Sequence, residues 1–519
     1  MPNAPDAVVG IDLGTSAVKV LAVTAAGKEL ASGSEFYGLE TPHPEFVEQD
    51  ADLVYRATMR VLAGVLSDVR MRGNEIAAIG FSSAMHGVLA VDDHGEPISR
   101  VITWMDRRAH ALADGWRADG TAAELYASTG APMHPMLPVA KLAWLAQNDP
   151  ATMQRARRFV GLKELVVFRW TGEWLVDWGI ASATGMFDLR SHDWHPPALA
   201  LAHVDRDRLS TPAPPSTALR NFRPAVAREL GFVENEGPAV VLASSDGALA
   251  NIGVGATGHG EVAVTLGTSG AVRILGDAPL LDAHARTFCY CADDARYVIG
   301  GPTSGAGASL DWIFALLLDE LPKEKRFARA VELASGVGPG ADGCVVLPFF
   351  GGERAPYWDS SLRGTIDGLD LAHDRRTILR AAFEGVVFGV RAVYDVVREL
   401  AALRQAQGDN AQRLLLTGGL TKAPLVRGLL ADSFGVPAVQ PHEQEASAFG
   451  AALLAAQATG LIADAVQVAR DRGYDDPTQP DAARGILYHA AFERYRRAVG
   501  VHLAGGNGIR DARKVVTHP

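Results

Sequence analysis

The chain has 519 residues, which is too long for one ordinary hydrophobic core and predicts two domains of about 250 residues each. Apolar residues make up 48% of the chain and charged residues 21%, the balance of a soluble globular protein. The formal net charge of −11 argues against a surface that binds nucleic acid or an anionic membrane.

Neither a targeting segment nor a membrane span is predicted. The first six residues have no basic region and no apolar stretch typical of a signal peptide. The most apolar long segment, 446–469, is rich in alanine and interrupted by Gln457, Gly460 and Asp464, which predicts buried helices rather than a membrane span. Three cysteines form a poor disulfide framework and indicate a reducing compartment. We therefore expect a cytoplasmic protein with no nucleic-acid or membrane partner.

The first half of the chain opens with strands and then alternates helices with short strands. Hydrophobic periodicity predicts the following elements. They are strands over 8–13 and 18–23, a helix over 52–69, a strand over 76–82, a hairpin over 88–98, a loop over 211–216, a strand over 238–245 and a helix over 248–254.

The second half repeats the opening of the first and then becomes helical. A long amphipathic or buried helix is predicted over 376–400, and a short buried strand over 414–417. The mixture of β-hairpins and crossover helices predicts mixed sheets with helices packed on them.

One loop occurs twice, once in each half. Leu13-Gly14-Thr15-Ser16 returns as Leu266-Gly267-Thr268-Ser269, and each copy lies between an apolar run and a second run that ends on a basic residue, Lys19 or Arg273. This pattern predicts a strand, a tight turn rich in backbone donors and a return strand in each half. Two such hairpins across a cleft could hold a polyphosphate from both sides, so we infer a nucleotide clamp.

Asp12 ends the first strand, whereas its counterpart in the second copy is Thr265. A purely structural repeat has no need of one carboxylate, but a carboxylate beside a phosphate site is what Mg²⁺ binding requires. Asp is also common near turns, which is the structural alternative. The duplication favours the functional interpretation.

Asp246 follows the strand over 238–245 and precedes a helix. It is either the N-cap of that helix or a general base at the strand end, kept ionised by the helix N-terminus. Polar and aromatic residues also end two earlier strands, at Met85-His86 and at Trp104-Met105-Asp106, where ligands are usually bound. A lone His or Trp is more often structural, so both interpretations stay open there.

Taken in order, these segments resemble the FGGY carbohydrate kinases, which have the actin-like (ribonuclease H-like) ATPase architecture. The resemblance extends from Gly10 to about Tyr488. The segments that carry it are 10–16, 48–50, 85–87, 103–106, 245–247, 266–269 and 347–356.

The resemblance implies a role for each matching position. Asp246 is similar to the base that takes the proton of the sugar hydroxyl, and Asp12 to the acidic residue that organises Mg²⁺; both are implied metal ligands. The positions implied to bind the nucleotide are Gly14, Thr15, Ser16, Lys19, Gly267, Thr268, Ser269, Gly307, Gly418, Gly419 and Lys422. Those implied to contact the sugar are Met85, His86, Trp104 and Asp106, together with Asp246. ATP and Mg²⁺ are the implied cofactors.

The implied fold is α/β, with two actin-like domains of mixed sheets flanked by helices and a cleft between them. An N-terminal domain over 1–256 is expected to contain the sugar site, the first phosphate loop and the catalytic Asp. A C-terminal domain over 257–519 is expected to contain the second phosphate loop and the adenine-side contacts.

Within the family, the residues at 82–87, 102–104, 130–136, 181–185 and 286–290 look most like gluconate kinases. This implies ATP-dependent phosphorylation of a terminal hydroxyl on an open-chain sugar acid, from D-gluconate to 6-phospho-D-gluconate. Gluconate kinases tend to have Arg-Ser where this chain has Lys422-Ala423, a departure that concerns adenine recognition. The substrate carboxylate needs a positive or donor group, and the candidates are His86, His134, Arg107 and Lys141.

Two alternatives stay open. A kinase for xylulose or another ketose or polyol shares Met85-His86-Gly87, although xylulose kinases commonly carry Gln in place of Ala84. An actin-like or Hsp70-like ATPase shares the nucleotide clamp, because fold does not fix function. The sequence does not determine the oligomeric state, and a homodimer stays open.

Overall fold

The computed structural model describes residues 7–233, 237–257, 260–404, 413–442 and 445–514. The predicted absence of a signal peptide concerns residues 1–6, which lie outside this range. The strands are β1 (Ala7–Leu13), β2 (Ala17–Thr24), β3 (Glu29–Phe36), β4 (Glu40–His43), β5 (Phe46–Gln49), β6 (Ile76–Ser83), β7 (Leu89–Val91), β8 (Val101–Ile102), β9 (Arg158–Val160), β10 (Leu175–Asp177), β11 (Phe187–Asp188), β12 (Asp193–Trp194), β13 (Thr211–Ala213), β14 (Ala218–Leu219), β15 (Ala239–Ser245), β16 (Glu261–Leu266), β17 (Gly270–Gly276), β18 (Phe288–Cys291), β19 (Tyr297–Thr303), β20 (Val345–Leu347), β21 (Thr365–Asp367), β22 (Arg413–Thr417) and β23 (Ala438–Val439).

Helices connect and cover these strands. They are α1 (Ala51–Met71), α2 (His110–Ala118), α3 (Thr121–Thr129), α4 (Pro138–Asn148), α5 (Pro150–Arg155), α6 (Leu162–Thr171), α7 (Trp178–Ser182), α8 (Pro196–Ala202), α9 (Pro224–Glu229), α10 (Asp246–Gly253), α11 (Gly307–Leu317), α12 (Lys323–Ser335), α13 (Arg375–Arg404), α14 (Pro424–Phe434), α15 (Ala446–Ala458), α16 (Ala465–Asp471) and α17 (Ala482–Lys514). Short 3-10 turns lie at Arg206–Arg208, Ala341–Gly343 and Gly419–Lys422.

The long predicted helices are confirmed. Helix α1 begins after Asp50, whose side chain accepts a hydrogen bond from the Leu53 amide at 2.9 Å, and it buries an apolar stripe against the first sheet. The helix predicted over 376–400 is α13, and the alanine-rich segment 446–469 forms the buried helices α15 and α16. Within the described residues, no helix is both long enough and apolar enough to cross a bilayer.

Between residues 88 and 216, the predicted hairpin is confirmed in part and the predicted loop is wrong at its start. The turn at 93–95 forms, an antiparallel bridge joins Val91 to Pro97, and the Ile98 amide donates to the Ala90 carbonyl at 2.9 Å, but the returning segment makes no longer ladder and β7 also pairs with β9. The segment predicted as a loop over 211–216 begins with β13, which pairs with β10. Pro212 is tolerated there because β13 belongs to a sheet of only two strands, where one side of each strand makes no ladder bonds.

The first six-stranded sheet has the order β14-β15-β6-β1-β2-β3. Strands β15, β6 and β1 are parallel to one another, whereas β2 and β14 run antiparallel to their neighbours. The carboxyl ends of parallel strands meet at one edge of a sheet, which is where ligands bind in α/β proteins. Asp12, Ser82 and Ser245 therefore lie together at this edge, and Asp246 follows directly.

The second six-stranded sheet, β18-β19-β17-β16-β22-β23, repeats part of this arrangement. Strand β16 pairs antiparallel with β17 and parallel with β22, as β1 pairs with β2 and β6. The mixed α/β fold is confirmed. The predicted strand–turn–strand repeat is also confirmed, once in each sheet.

The chain forms two compact units that are not two continuous halves. The first consists of residues 1–258, 275–299 and 445–473, and the second of residues 259–274, 300–444 and 474–519. Helix α15 joins the first unit because its backbone packs directly on β1 and β6. A Cβ atom on Gly10 would lie 1.8 Å from the Ala448 carbonyl oxygen, and one on Gly80 would lie 2.2 Å from that of Ala451. Only glycine permits this approach.

Candidate active site

The first hairpin turns tightly between β1 and β2. Leu13 pairs with Val18, and the Gly14 amide donates to the Ala17 carbonyl at 3.0 Å. A Cβ atom on Gly14 would lie 2.8 Å from that carbonyl oxygen, so the turn favours glycine. The Tyr37 hydroxyl donates to the Gly14 carbonyl at 2.7 Å and fixes the start of the loop.

Thr15 is fixed by two side chains from elsewhere in the first unit. The Trp104 indole N–H donates to the Thr15 hydroxyl oxygen at 2.8 Å, and the Gln49 side-chain amide donates to the Thr15 carbonyl at 2.7 Å. Trp104, predicted as a sugar contact, therefore holds the loop 14–16, which is predicted to bind phosphate. Ser16 at the tip of the loop is exposed.

Asp12 lies at the end of β1 among groups that set its charge. The Ser82 hydroxyl donates to Asp12 Oδ1 at 2.7 Å from the adjacent strand. Burial, together with the nearby negative charge of Asp246, raises the pKa of Asp12 to about 6, against the lowering effects of Ser82 and Lys19. The two predicted catalytic carboxylates thus influence each other. Lys19 lies opposite Asp12 on β2, and its ammonium pairs with Glu445 at 2.7 Å.

Asp246 is the first residue of α10, and Ser245 occupies the N-cap position. The structure therefore does not support the interpretation of Asp246 as the N-cap. Its Oδ1 accepts a hydrogen bond from the Gly247 amide at 2.7 Å. A carboxylate in the first turn of a helix is stabilised in its charged form by the helix dipole, which suits a proton acceptor.

A cleft in the first unit brings several predicted residues together. It contains about 460 Å³ of empty space, open solvent included. Among its lining residues are Gly14, Thr15, Met85, His86 and Trp104. His86 adopts the left-handed backbone region with a φ of 67°, and its Nδ1 lies 2.7 Å from the Ala183 carbonyl oxygen.

Asp106, also predicted as a sugar contact, is not among the residues that line this cleft. It is 1% exposed, and its carboxylate pairs with Arg108 at 2.8 Å and accepts a hydrogen bond from the Val47 amide at 2.8 Å. The structure thus gives Asp106 a part in holding the chain around the cleft. Its contact with a sugar stays a prediction.

Lys141 has a different role from the one considered from the sequence. It is fully buried, and its ammonium donates to the carbonyls of His86 at 2.7 Å, Thr103 at 2.8 Å and Ile102 at 3.2 Å. Burial lowers the pKa of Lys141 to about 7. Because its three N–H groups bind backbone, Lys141 holds two walls of the cleft and is not a carboxylate ligand.

Lys163, which no sequence motif indicated, also lines the cleft. Both lysines lie in the first turns of helices that are otherwise largely apolar, Lys141 in α4 and Lys163 in α6. A charged residue within such a run is the signal that could have identified them as buried, because a buried lysine requires a specific set of acceptors.

The second hairpin lies in the second unit and is one residue shorter. Leu266 pairs with Gly270, and the Gly267 amide donates to the Ser269 carbonyl at 3.0 Å. The amides of Gly307 and Ala308 donate to the carbonyls of Gly267 and Thr268, both at 3.0 Å, so α11 begins against the loop. A Cβ atom on Gly307 would lie 2.5 Å from the Gly267 carbonyl oxygen.

Gly418 approaches the same loop from the end of β22. It has a φ of 91°, and a Cβ atom on it would lie 2.4 Å from the Leu266 carbonyl oxygen. Gly267, Gly307 and Gly418, which are distant in sequence, are therefore brought together in this unit. Gly419 and the exposed Lys422 begin and end the 3-10 turn that follows.

The loop before α11 is held by Glu353, from the segment 347–356. Its carboxylate accepts hydrogen bonds from the amides of Ser304 and Gly305, the latter at 3.3 Å. Burial raises the pKa of Glu353 to about 7. The Arg354 guanidinium donates to the Thr303 carbonyl at 2.9 Å and fixes the same loop from the other side.

Comparison with known proteins agrees with this arrangement. The model of the N-terminal domain of the FGGY family of carbohydrate kinases matches residues 7–253, and that of the C-terminal domain matches residues 262–459. A gluconokinase from Bacillus subtilis (strain 168) is 34% identical over 462 residues, which are 88% of each chain.

Two solved structures share the fold over nearly the whole chain. A gluconate kinase from Lactobacillus acidophilus has a TM-score of 0.89 at 30% identity and covers 97% of this chain and 100% of its own. A ligand-bound xylulose kinase from the same species has a TM-score of 0.88 at 30% identity, with coverages of 95% and 98%. The predicted family resemblance is confirmed. This chain belongs to the FGGY family of carbohydrate kinases and is a phosphotransferase that uses ATP.

Proposed function

We propose that this kinase phosphorylates the terminal hydroxyl of D-gluconate, giving 6-phospho-D-gluconate and ADP. The cleft of the first unit carries the proposal, because the first phosphate loop and the side chains of His86 and Trp104 line one cavity. A cavity with a few converging polar groups is the usual form of a small-molecule site. The identity with a gluconokinase supports an acid, rather than a neutral sugar, as the substrate.

His86 is the proposed neighbour of the substrate carboxylate. It lines the cleft, whereas Arg107 and His134 do not, and Lys141 is engaged by backbone carbonyls. A histidine N–H can donate to a carboxylate in either protonation state, and the protonated ring adds a charge.

Asp246 is the proposed base. It accepts the proton of the terminal hydroxyl, whose oxygen forms a bond to the γ-phosphorus of ATP while the bond between that phosphorus and the bridging oxygen of ADP breaks. The transition state of such a transfer is loose, so the enzyme acts chiefly by alignment and charge stabilisation. The Gly247 amide fixes the carboxylate at its Oδ1.

Asp12 and Asp246 are the proposed ligands of Mg²⁺. Burial and, next to it, repulsion by Asp246 raise the pKa of Asp12, and a divalent cation would relieve the repulsion. Mg²⁺ is usually bound through one or two carboxylates and keeps several waters, so a pair of carboxylates suits it. When bound, the ion would neutralise charge on the phosphates.

The loops 14–16 and 267–269 are proposed to bind the phosphates, together with Lys19. The amides of Thr15, Ser16, Thr268 and Ser269 are the proposed donors, because those of Gly14 and Gly267 close the turns themselves. Gly307, Gly418, Gly419 and Lys422 are proposed to contact the nucleotide. Their proximity supports this, because the absence of side chains lets Gly307 and Gly418 pack directly against the loop at Gly267.

A panel of substrates tests the choice of sugar. We expect kcat/KM for D-gluconate to exceed that for D-xylulose and for glycerol by at least about tenfold, since one additional charge-assisted hydrogen bond contributes at least about 1.4 kcal/mol. ADP release with each substrate, measured in a coupled assay, gives the comparison. A preference for xylulose or glycerol would contradict the gluconate assignment and favour the alternative within the family.

A further inference from the structure

We propose that Lys163 is a positioning residue for Asp246, because its buried ammonium holds the β-bulge that sets the direction of that carboxylate. The inference rests on the proposed role of Asp246 as the base. It assigns to Lys163 a task in the reaction that acts through the backbone before Asp246.

The bulge lies in β15, three residues before Asp246. Val241 pairs with Gly80 of β6, but the next pair joins Ser244 to Ser82, so β15 contains one additional residue at this point. Ala243 has a φ of 50°, in the left-handed region that residues with a side chain rarely adopt. Such a conformation is costly and persists only where the surroundings hold it.

The additional residue in β15 changes the face of the sheet to which each later side chain of the strand points. Side chains of a strand alternate between the two faces, so an inserted residue exchanges the faces for the residues beyond it. The pairing with β6 resumes at Ser244 and Ser245, and Asp246 follows immediately. The bulge therefore determines on which side of the sheet edge the carboxylate emerges.

Lys163 binds the bulge from the first turn of α6. Its Nζ donates to the Leu242 carbonyl at 3.1 Å and to the Ser244 carbonyl at 2.9 Å, the two carbonyls that flank Ala243. The amides of Leu242 and Ala243 donate to the carbonyls of Thr217 at 3.1 Å and Pro215 at 2.9 Å. Buried backbone groups require hydrogen-bond partners. At the bulge, Lys163 supplies the donor for the two carbonyls.

The third partner of Lys163 is Asp177, whose Oδ2 lies 2.5 Å from Nζ. Lys163 is 3% exposed and Asp177 is fully buried. Asp177 also accepts the Ile180 amide at 2.9 Å through Oδ1 and so caps α7. Burial lowers the pKa of Lys163, while the charge of Asp177 opposes this change. A buried ion pair contributes little net stability, so we assign Lys163 to the geometry that it fixes and not to stabilisation.

A double substitution and a matched single substitution test the role. Lys163→Met alone would leave Asp177 buried without its cation and could unfold the protein, so the informative variant is the double substitution Lys163→Met/Asp177→Asn. Asparagine retains an oxygen for the Ile180 amide. Asp177→Asn alone is the matched control. It removes the ion pair, but Lys163 can lose one proton and still donate both hydrogen bonds to the bulge.

We expect the double variant to fold and to lose about 100-fold in kcat, as expected for a misplaced base, with an unchanged KM for ATP. The control should retain most of its kcat. When combined with Asp246→Asn, the double variant should add little further loss, because both changes act on one step. A double variant that keeps its kcat would overturn the proposal, and so would a loss that adds in full to that of Asp246→Asn.

A crystal structure of the double variant provides a test independent of turnover. The expected result is that Ala243 leaves the left-handed region and that the Asp246 carboxylate moves by about 1 Å or more. An unchanged bulge would overturn the proposal. If the wild type showed no turnover with any sugar, the proposed function would fail, yet the structure would still decide whether Lys163 holds the bulge.

Discussion

At the scale of single residues, the Asp12 carboxylate makes the free energy of unfolding depend on pH. The raised pKa of Asp12 means that the folded protein binds a proton there more tightly than the unfolded chain does. The free energy of unfolding therefore falls as the pH rises from about 4 to about 6, and this loss is complete above the folded pKa. Above this pH, the charged Asp12 carboxylate beside Asp246 lowers the free energy of unfolding.

We predict that Asp12→Asn is more stable than the wild type at pH 8 without metal. The gain should reach at most about 3 kcal/mol and should vanish near pH 3, where both states of the wild type are protonated. Thermal unfolding in a chelator at the two pH values measures it, with Asp68→Asn on the exposed face of α1 as the control. A destabilised Asp12→Asn at pH 8 would contradict this account of the carboxylate pair.

Site residues could be predicted from the sequence where a local motif marks them. Asp12 and the Gly14 turn were identified from the repeat, and the structure places both at one sheet edge. Lys141 was a candidate ligand because a substrate carboxylate needs a positive or donor group. Its burial depends on the carbonyls of His86 and Thr103, which the sequence alone does not bring together.

At the scale of elements, α15 determines how the first unit is completed. It packs with its backbone against β1 and β6 through Gly10 and Gly80, and against α10 through Gly253 and Gly450. The segment was predicted to form buried helices, which is confirmed. Its place beside β1 was not predictable, because hydrophobic periodicity shows that a face is buried but not which partner covers it.

We predict that Gly10→Ala is strongly destabilising, because the methyl group would collide with the Ala448 carbonyl and force backbone to move. The expected cost is about 3 kcal/mol or more. Gly64→Ala is the matched control. Gly64 lies within α1 with no atom within 4 Å of an added Cβ, and alanine should stabilise the helix by up to about 1 kcal/mol.

Differential scanning calorimetry of the two variants and the wild type measures these changes. If Gly10→Ala had the same melting temperature as the wild type, the contact between β1 and α15 would be looser than described.

At the scale of the whole molecule, the two six-stranded sheets share part of one topology but carry different residues at the ends of the corresponding strands. The core β1, β2 and β6 of the first sheet corresponds to β16, β17 and β22 of the second. The position of Asp12 is taken by Thr265, whose hydroxyl lies 2.9 Å from that of Thr417. The duplicated loop made this repeat visible in the sequence. The discontinuous units were not visible, since segments 275–299 and 445–473 return to the first unit only through packing.

The central claim is that Asp246 accepts the proton of the sugar hydroxyl, and Asp246→Asn tests it most directly. Asparagine keeps an oxygen for the Gly247 amide, so the loop should retain its shape. The measurement is kcat with D-gluconate alongside the Kd for ATP, with Asp68→Asn as the control. The account predicts a fall in kcat of about 10³-fold with an unchanged Kd for ATP. An Asp246→Asn enzyme that retains most of its kcat would contradict it.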